Sequence, residues 1–458
     1  MMFLCSEFKI SDMIVLKFGG TSMGSAKRME EVFRLVKREG PCVVVLSAMA
    51  GITDKLIRAG SNFKIGDREE GQNDLQWIRN RFEDTCVELF RQKVSRDTIM
   101  LFLEKAFGDI VFRVSGEITQ ETINWLIVQG EMITSHIFSD YMQERGFPSV
   151  LLDAAGFMRL DEAGEPDLPA IERRLPPMLG LGGDLIYVTQ GFVCMNHRGE
   201  TDNLKRGGSD YSATLIGAAV RAEMIEIWTD IDGMQNNDPR EVENTFSIRR
   251  LSFDEAAELA YFGAKILHPA CVWPAQQFNI PIWLRNTMDP ENPGTMIRSG
   301  GERQQITAIA AKDHITAIRI RSGRMLNTYG FLVMVFKVFE DFQTPIDMIT
   351  TSEVSVSLTI DNDIHLDGIV GALEKYGAVE VDRDQSIICV VGDFLVDRYG
   401  SAARILHSLP DIPIRMISYG GSQNNISFLV SSADKKRALN ALNVGLFRMT
   451  KIPDYAHS

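Results

Sequence analysis

The chain has 458 residues, more than a single compact core accommodates, and at about 150 residues per domain it divides into roughly three domains. Hydrophobic residues make up 45% and charged residues 24%, an ordinary globular balance, and a net charge of −13 gives no overall basic field, so nucleic acid is not an expected partner. Six widely spaced cysteines (Cys5, Cys42, Cys86, Cys194, Cys271 and Cys389) without a CxxC pair, an N-terminus without a cationic leader and no apolar run of membrane-helix length point to a reducing cytoplasm and to no membrane partner.

From Met13 short apolar strands alternate with amphipathic helices. MIVLKF (13–18) reads as a strand, MEEVFRLVKREG (29–40) as a helix and PCVVVLSA (41–48) as a second strand. Further strands are expected at DLIYVTQGF (184–192), MIEIWTD (224–230) and IPIWLRN (280–286). One long helix is expected over 121–146 and another over 210–223, and this rhythm predicts an α/β domain, a mainly parallel sheet covered by helices, over residues 1–300.

The segment 288–305, rich in Pro, Gly and polar residues, marks a boundary. Beyond it ITAIAA (306–311) and ITAIRIR (315–321) read as two strands in close succession, followed by a helix at 331–343 and strands at 345–352 and 354–361. A second pass follows with a strand at 386–393, a helix at 401–409, strands at 412–418 and 424–431 and a helix at 433–447. The passes align at Met348-Ile349 with Met416-Ile417 and at Val356-Ser357 with Ile426-Ser427. Two small βαββαβ modules, 301–385 and 386–458, are the natural reading, with the early strand ITAIAA pairing with the second; modules of this kind sense small molecules.

Three motifs follow strands. Lys17-Phe18-Gly19-Gly20-Thr21-Ser22 combines a cation with glycines that let backbone N–H groups approach a phosphate, and a plain strand-to-helix turn is the alternative. Arg206-Gly207-Gly208-Ser209-Asp210 opens a helix, with an arginine able to grip a carboxylate bidentately. Trp228-Thr229-Asp230-Ile231-Asp232-Gly233, followed by Asn237-Asp238-Pro239-Arg240, fits either a nucleotide or a turn. No Walker A sequence is present. Gly130-Glu131 interrupts a helical pattern where glycine costs about 1 kcal/mol unless a close approach requires it. Ser47 to Thr53 lies at the end of the second strand, where open α/β sheets bind ligands. The seven histidines lack ligand spacing, so no metal site is expected among them, and His268 reads as structural.

Taken in order, KFGGTS, SAMAGIT, GE, RGGSD, WTDIDGM, DPR and FGAKILHP resemble the motif succession of the aspartate kinases, over Met13 to about Phe447. The resemblance implies a monofunctional enzyme with an amino-acid-kinase fold followed by two ferredoxin-like ACT modules. It would use ATP and Mg2+ to phosphorylate the side-chain carboxylate of L-aspartate, the first step toward lysine, threonine, methionine and diaminopimelate. By that resemblance Lys17 meets the transferring phosphoryl group, Asp210 positions Lys17 and Arg206 binds a substrate carboxylate. Glu131 meets the α-ammonium, while Ser47, Thr53, Gly207, Gly208 and Ser209 complete the aspartate site. Gly19, Gly20, Thr229, Asp230, Gln235, Arg240, Lys265 and Ile266 fall to the nucleotide. Two positions depart from the family pattern, Lys205 in place of a glycine and Gln235 in place of an aromatic.

In the tail, 325–332 and 346–353 resemble the effector segments of the lysine-sensitive class. Met325, Thr328, Gly330, Phe331, Leu332, Ile346, Asp347, Thr351 and Ser352 are therefore expected to bind an effector, with lysine preferred over threonine, meso-diaminopimelate or S-adenosylmethionine, in a homodimer joined through the ACT modules. Gly330 opens a helix whose N–H groups suit an α-carboxylate, and Asp347 suits an ammonium.

Overall fold

The computed structural model describes residues 13–37, 40–180, 185–205, 207–263, 267–300, 306–323, 329–392 and 400–447. Two compact units result, Met1–Met234 with Arg249–Phe253 and Leu267–Gly301, and Gln235–Ile248 with Asp254–Ile266 and Glu302–Ser458.

Among the described residues the first unit has ten strands: β1 (Ile14–Phe18), β2 (Cys42–Leu46), β3 (Ser149–Leu152), β4 (Ile186–Gln190), β5 (Val193–Met195), β6 (Thr201–Asn203), β7 (Met224–Thr229), β8 (Arg250–Leu251), β9 (Ile282–Asn286) and β10 (Thr295–Ile297). Eight form one sheet in the order β3-β4-β2-β1-β7-β9-β10-β8, parallel from β3 to β9, while β5 and β6 make a separate hairpin. Val, Ile and Leu runs in β1, β2 and β4 are buried because helices cover both faces of a parallel sheet. From β1 the chain steps to β2, goes on to β3 at the sheet edge and comes back to β4 between β2 and β3, then crosses to the other side of β1 as β7. Open α/β sheets bind ligands in the crevice at such a reversal, outside the C-terminal strand ends, here beside β1.

Between β2 and β3 stand three helices that the sequence reading passed over, Ile52–Ile65, Arg68–Leu89 and Lys93–Ser115. The helix expected over 121–146 is two, Gln120–Ile127 and Gln129–Glu144, broken at Val128.

The second unit carries one six-stranded antiparallel sheet of β11 (Ala308–Arg321), β12 (Ile349–Thr351), β13 (Ser355–Ile360), β14 (Ala378–Val391), β15 (Met416–Tyr419) and β16 (Asn425–Ser431), in the order β12-β13-β11-β14-β16-β15. The two strands expected at 306–311 and 315–321 are a single strand, β11, with a register shift between Lys312 and Ile315 and left-handed backbone at His314. A bulge adds residues without ending the ladder, which makes one strand look like two in sequence. The first half of β11 pairs with Ile387–Val391 of β14, which in turn pair with β16; the second half pairs with β13 and with the start of β14. Each half of the sheet thus has its own βαββαβ set, and the strand closing the second set precedes the first in sequence. Separate apolar cores, one around Phe331, Val335 and Leu358 and one around Ile388, Phe428 and Leu442, underlie the two halves.

Candidate active site

Lys17 breaks the apolar run of β1, between fully buried Leu16 and Phe18, and is itself only 8% exposed. A lysine so placed requires a counter-charge. Asp210 supplies it, with Oδ1 2.5 Å from Lys17 Nζ, from the first turn of the helix Gly208–Val220. Gly207 precedes that helix with φ +73°, and a Cβ there would stand 2.6 Å from Cys271 Sγ. Among the described residues no side-chain hydrogen bond caps this N-terminus, and the Gly208 and Ser209 N–H groups face the approach to an anion.

The loops after β1 and β2 interlock. Ser47 N–H donates to Phe18 O (3.2 Å), Ala50 N–H donates to Gly20 O (3.0 Å), and a Cβ on Gly20 would meet Ala48 O at 2.9 Å. Ser47 Oγ donates to Ser209 Oγ (2.9 Å), which links the β2 loop to the helix bearing Asp210.

Glu131 lies beside this pair of loops. It is 3% exposed, and one carboxylate oxygen, Oε2, has no hydrogen-bond partner. Burial pushes its carboxyl up to about 8, although hydrogen bonds from backbone N–H groups, including that of Ala48, and from the Thr53 hydroxyl pull the other way. The close approach expected at Gly130 is present: an added Cβ would lie 2.8 Å from Ala48 Cβ and 3.0 Å from Ile52 Cγ2. Gly130→Ala gains roughly 0.5–1 kcal/mol of helix propensity but overpacks the contact at a cost of about 1–3 kcal/mol, so net destabilisation and a raised KM for the ligand of the neighbouring loops are expected in melts and kinetics. Unchanged stability with unchanged KM would show that the loop yields freely.

On the other side of β1, Gly19 N–H donates to Trp228 O (3.2 Å), Thr287 N–H to Thr229 O (2.7 Å), and Ser22 and Thr287 hydroxyls share a hydrogen bond of 2.7 Å. Asp232 accepts from Asn286 Nδ2 (2.6 Å), while Asp230 is exposed at the end of β7. The crevice beside β1 thus brings Lys17, Gly19, Gly20, Thr229 and Asp230 to one set of neighbouring turns. Gln235 and Arg240 belong to the second unit, where Gln235 Nε2 donates to Ser247 Oγ (2.8 Å) and Arg240 forks onto Asp238 (3.0 and 2.7 Å). Arg206, Lys265 and Ile266 lie outside the described residues. His268 caps the helix Pro269–Gln277, its Nδ1 accepting from Ala270 N–H, a structural role.

Of the tail positions, Met325 and Thr328 also lie outside the described residues. Gly330 has φ +82° and opens the helix Phe331–Asp341, with Phe331 buried and Leu332 exposed. Ile346 packs against the first module's core, Thr351 ends β12, and Ser352 Oγ shares a hydrogen bond of 2.8 Å with Ser355 Oγ. Asp347 is already engaged: Lys312 Nζ lies 2.6 Å from its Oδ1, and the Tyr261 hydroxyl donates to the same oxygen at 2.7 Å. Lys312 also reaches Asp361 at 2.8 Å and stands over the Tyr261 ring. The sequence reading did not single out Lys312 or Tyr261, since neither belongs to a motif. Burial opposes the Lys312 charge, but hydrogen bonds to Asp347 and Asp361 prevail and hold its ammonium above the usual lysine range.

A helix-covered parallel sheet with a buried lysine–aspartate pair between glycine loops at its reversal point defines a class, the small-molecule kinases of the amino acid kinase family, whose sequence pattern matches residues 12–286. An ACT domain pattern matches residues 388–445. Lysine-sensitive aspartokinase 3 of Escherichia coli K12 is 32% identical, covering 96% of this chain and 100% of its own length, and aspartokinase 1 of Arabidopsis chloroplasts is 33% identical over 94% of this chain and 80% of its own. The E. coli aspartokinase III structure with aspartate and ADP, its R-state, superposes with a TM-score of 0.83 at 32% identity over 95% of this chain and 100% of that one; the same enzyme with lysine and aspartate, its T-state, gives 0.77. The chain belongs to the amino acid kinase family and, within it, to the aspartokinases.

Proposed function

We propose that this aspartokinase transfers the γ-phosphoryl group of ATP to the side-chain carboxylate of L-aspartate and that Lys17, held by Asp210, is the cation at the transferring group. The Lys17–Asp210 pair carries the reading. A carboxylate nucleophile is ionised at neutral pH and requires no general base, so catalysis consists of bringing two anions together and offsetting their repulsion. Lys17, the Gly20 N–H and the N–H groups at Gly207-Gly208 would meet that need. Arg206 and Ser209 would hold the substrate carboxylate, and Thr229 and Asp230 the nucleotide. Mg2+ would come as the ATP complex, coordinated mainly by phosphate oxygens and water. Incubation with aspartate, MgATP and hydroxylamine should yield the aspartyl hydroxamate; no hydroxamate from aspartate at any pH from 6 to 9 would overturn the reading.

Glu131 would meet the α-ammonium of aspartate with its unpartnered oxygen. Because its folded carboxyl is raised from the ordinary 4.5 to about 8, the unfolded chain gives up this proton first, and stability falls as pH rises between those values. Aspartate binding would draw the ionised form, so KM should fall as pH rises from about 6.5 to about 8 and then level off. Glu131→Gln should keep a high KM with no such slope, while its ligand-free melting temperature at pH 8 exceeds that of the parent. A wild-type KM independent of pH in this range would remove Glu131 from the substrate site.

The tail would sense lysine through the first module. Since Lys312 already occupies Asp347, an effector ammonium must displace an internal one. The modules would also join two copies: Val333 and Phe336 leave apolar surface exposed on the helix Phe331–Asp341 (70% and 41%). Location in the cytoplasm would suit free, buried Cys86, Cys194, Cys271 and Cys389.

A further inference from the structure

The first unit contains a cavity of about 360 Å³ away from the motifs assigned to aspartate and ATP. Its lining includes Arg159, Arg173 and Arg174, with Asp167, Asn196 and His197. Three guanidinium groups around one hollow are unexpected in a chain of net charge −13 unless something neutralises them.

Nearby carboxylates do so only in part. Among the described residues none of the three arginines forms an ion pair, and the surrounding carboxylates are committed elsewhere. Glu200 pairs with Arg198 at 2.9 Å and accepts from Asn196 Nδ2 at 2.9 Å; Glu172 pairs with Arg221 at 2.7 Å. Asp167 caps the helix Leu168–Arg174, its Oδ1 accepting from Ala170 N–H at 3.0 Å. Arg159 Nε is buried without a partner. Burial, and then the charge of Arg174, work against the Arg159 cation, and Asp153 offsets them only in part.

The walls are fixed by backbone. Leu160 N–H donates to Met195 O (3.0 Å), Met195 N–H to Met158 O (2.9 Å), and Asp167 N–H to Arg159 O (2.9 Å), which ties Arg159 between the β5–β6 hairpin and the following loop. At the hairpin tip Asn196 Oδ1 accepts from the N–H groups of Arg198 and Glu200 at 3.0 Å each, so the turn presenting His197 is closed on itself. A rigid hollow with unneutralised planar forks is arranged for an anion of more than one charge, which arginines bind bidentately.

We infer that this pocket is a second anion site, which binds a small polyanion, a phosphate ester or polycarboxylate, independently of the ATP site. The hairpin gives the site a route to catalysis. Leu204 N–H, just after β6, donates to Phe192 O (2.8 Å), and Phe192 N–H donates to Ser212 Oγ (2.8 Å) on the helix that bears Asp210. An occupant that tightens the hairpin would therefore act on aspartate affinity before turnover.

The test is calorimetry on the full chain saturated with MgADP and aspartate, so that the catalytic crevice is filled, with inorganic pyrophosphate and citrate as probes. One or both should bind with a dissociation constant below about 1 mM, weakening with added salt, and pyrophosphate against citrate distinguishes a phosphate from a carboxylate ligand. Arg174→Gln, at an exposed position, and Arg159→Gln should each weaken binding by at least about tenfold while the KM for ATP stays within about twofold. Arg159→Lys, which keeps charge but loses the fork, should fall between. Binding weaker than about 10 mM for both probes, or binding indifferent to the three substitutions, would overturn the inference.

Discussion

Lys17→Ala is expected to lower the turnover number by at least about a hundredfold, because on the proposed reading it removes one preorganised charge from the transition state, a loss of roughly 3 kcal/mol. Lys17 Nζ is held 2.5 Å from Asp210 Oδ1 within the central strand, so its position is set before substrate arrives. Folding survives, since Leu16, Phe18 and the β1 ladder to β2 and β7 remain, and an 18%-exposed Asp210 side chain can take up water. A shift of a few degrees in melting temperature is expected, and steady-state kinetics beside a thermal melt check both halves. Asp210→Asn should lower turnover less than Lys17→Ala, because it leaves the cation and removes its anchor. The double variant should be little worse than Lys17→Ala alone, as groups acting as one unit are not additive. Near-parental turnover in Lys17→Ala would remove the pair from the chemistry.

The parallel sheet was readable because β1, β2, β4 and β7 are short apolar runs ending in glycine or polar turns, and Lys17 announced itself as a charge inside such a run. The helices Ile52–Ile65 and Arg68–Leu89 carried a signal too: Leu75, Ile78, Phe82, Cys86 and Leu89 recur at three- and four-residue spacing. Gly60, Gly66 and Gly71 broke the pattern to the eye, yet Gly71 is there because Phe63 packs on it, where a Cβ would meet the ring at 2.6 Å. The kink at Val128 was hidden because Gly130 reports a tertiary contact with Ala48, not a local preference. A lone surface-type residue such as Lys312, by contrast, has no pattern to betray it. Its partners Tyr261, Asp347 and Asp361 lie 51, 35 and 49 positions away by subtraction of their numbers, and only the folded sheet brings them together.

That network gives the second large effect, which rests on lysine being the effector. Lys312→Met should lower the half-inhibitory lysine concentration at least about tenfold, equivalent to about 1.4 kcal/mol. In the parent, an incoming ammonium has to evict Lys312 from Asp347, whose side chain is 2% exposed and whose second oxygen has no partner. In the variant Asp347 keeps only the Tyr261 hydroxyl, and a buried charge left without its counterion costs about 3–5 kcal/mol, part of which an effector ammonium would restore. Lysine should therefore raise the melting temperature of Lys312→Met more than that of the parent, since a ligand stabilises the state that binds it. Uninhibited turnover should stay within about threefold, because Lys312 belongs to none of the catalytic motifs, and coupling alone changes when effector affinity alone changes. Asp347→Asn serves as the control and should lose sensitivity altogether. Lysine titrations and melts of the three proteins decide it. Equal or weaker sensitivity in Lys312→Met, without added thermal stabilisation, would mean that the effector does not compete for Asp347. A parent indifferent to lysine up to about 10 mM, weaker than the roughly 4 kcal/mol of millimolar binding, would instead reject lysine as the effector and leave the kinase assignment untouched.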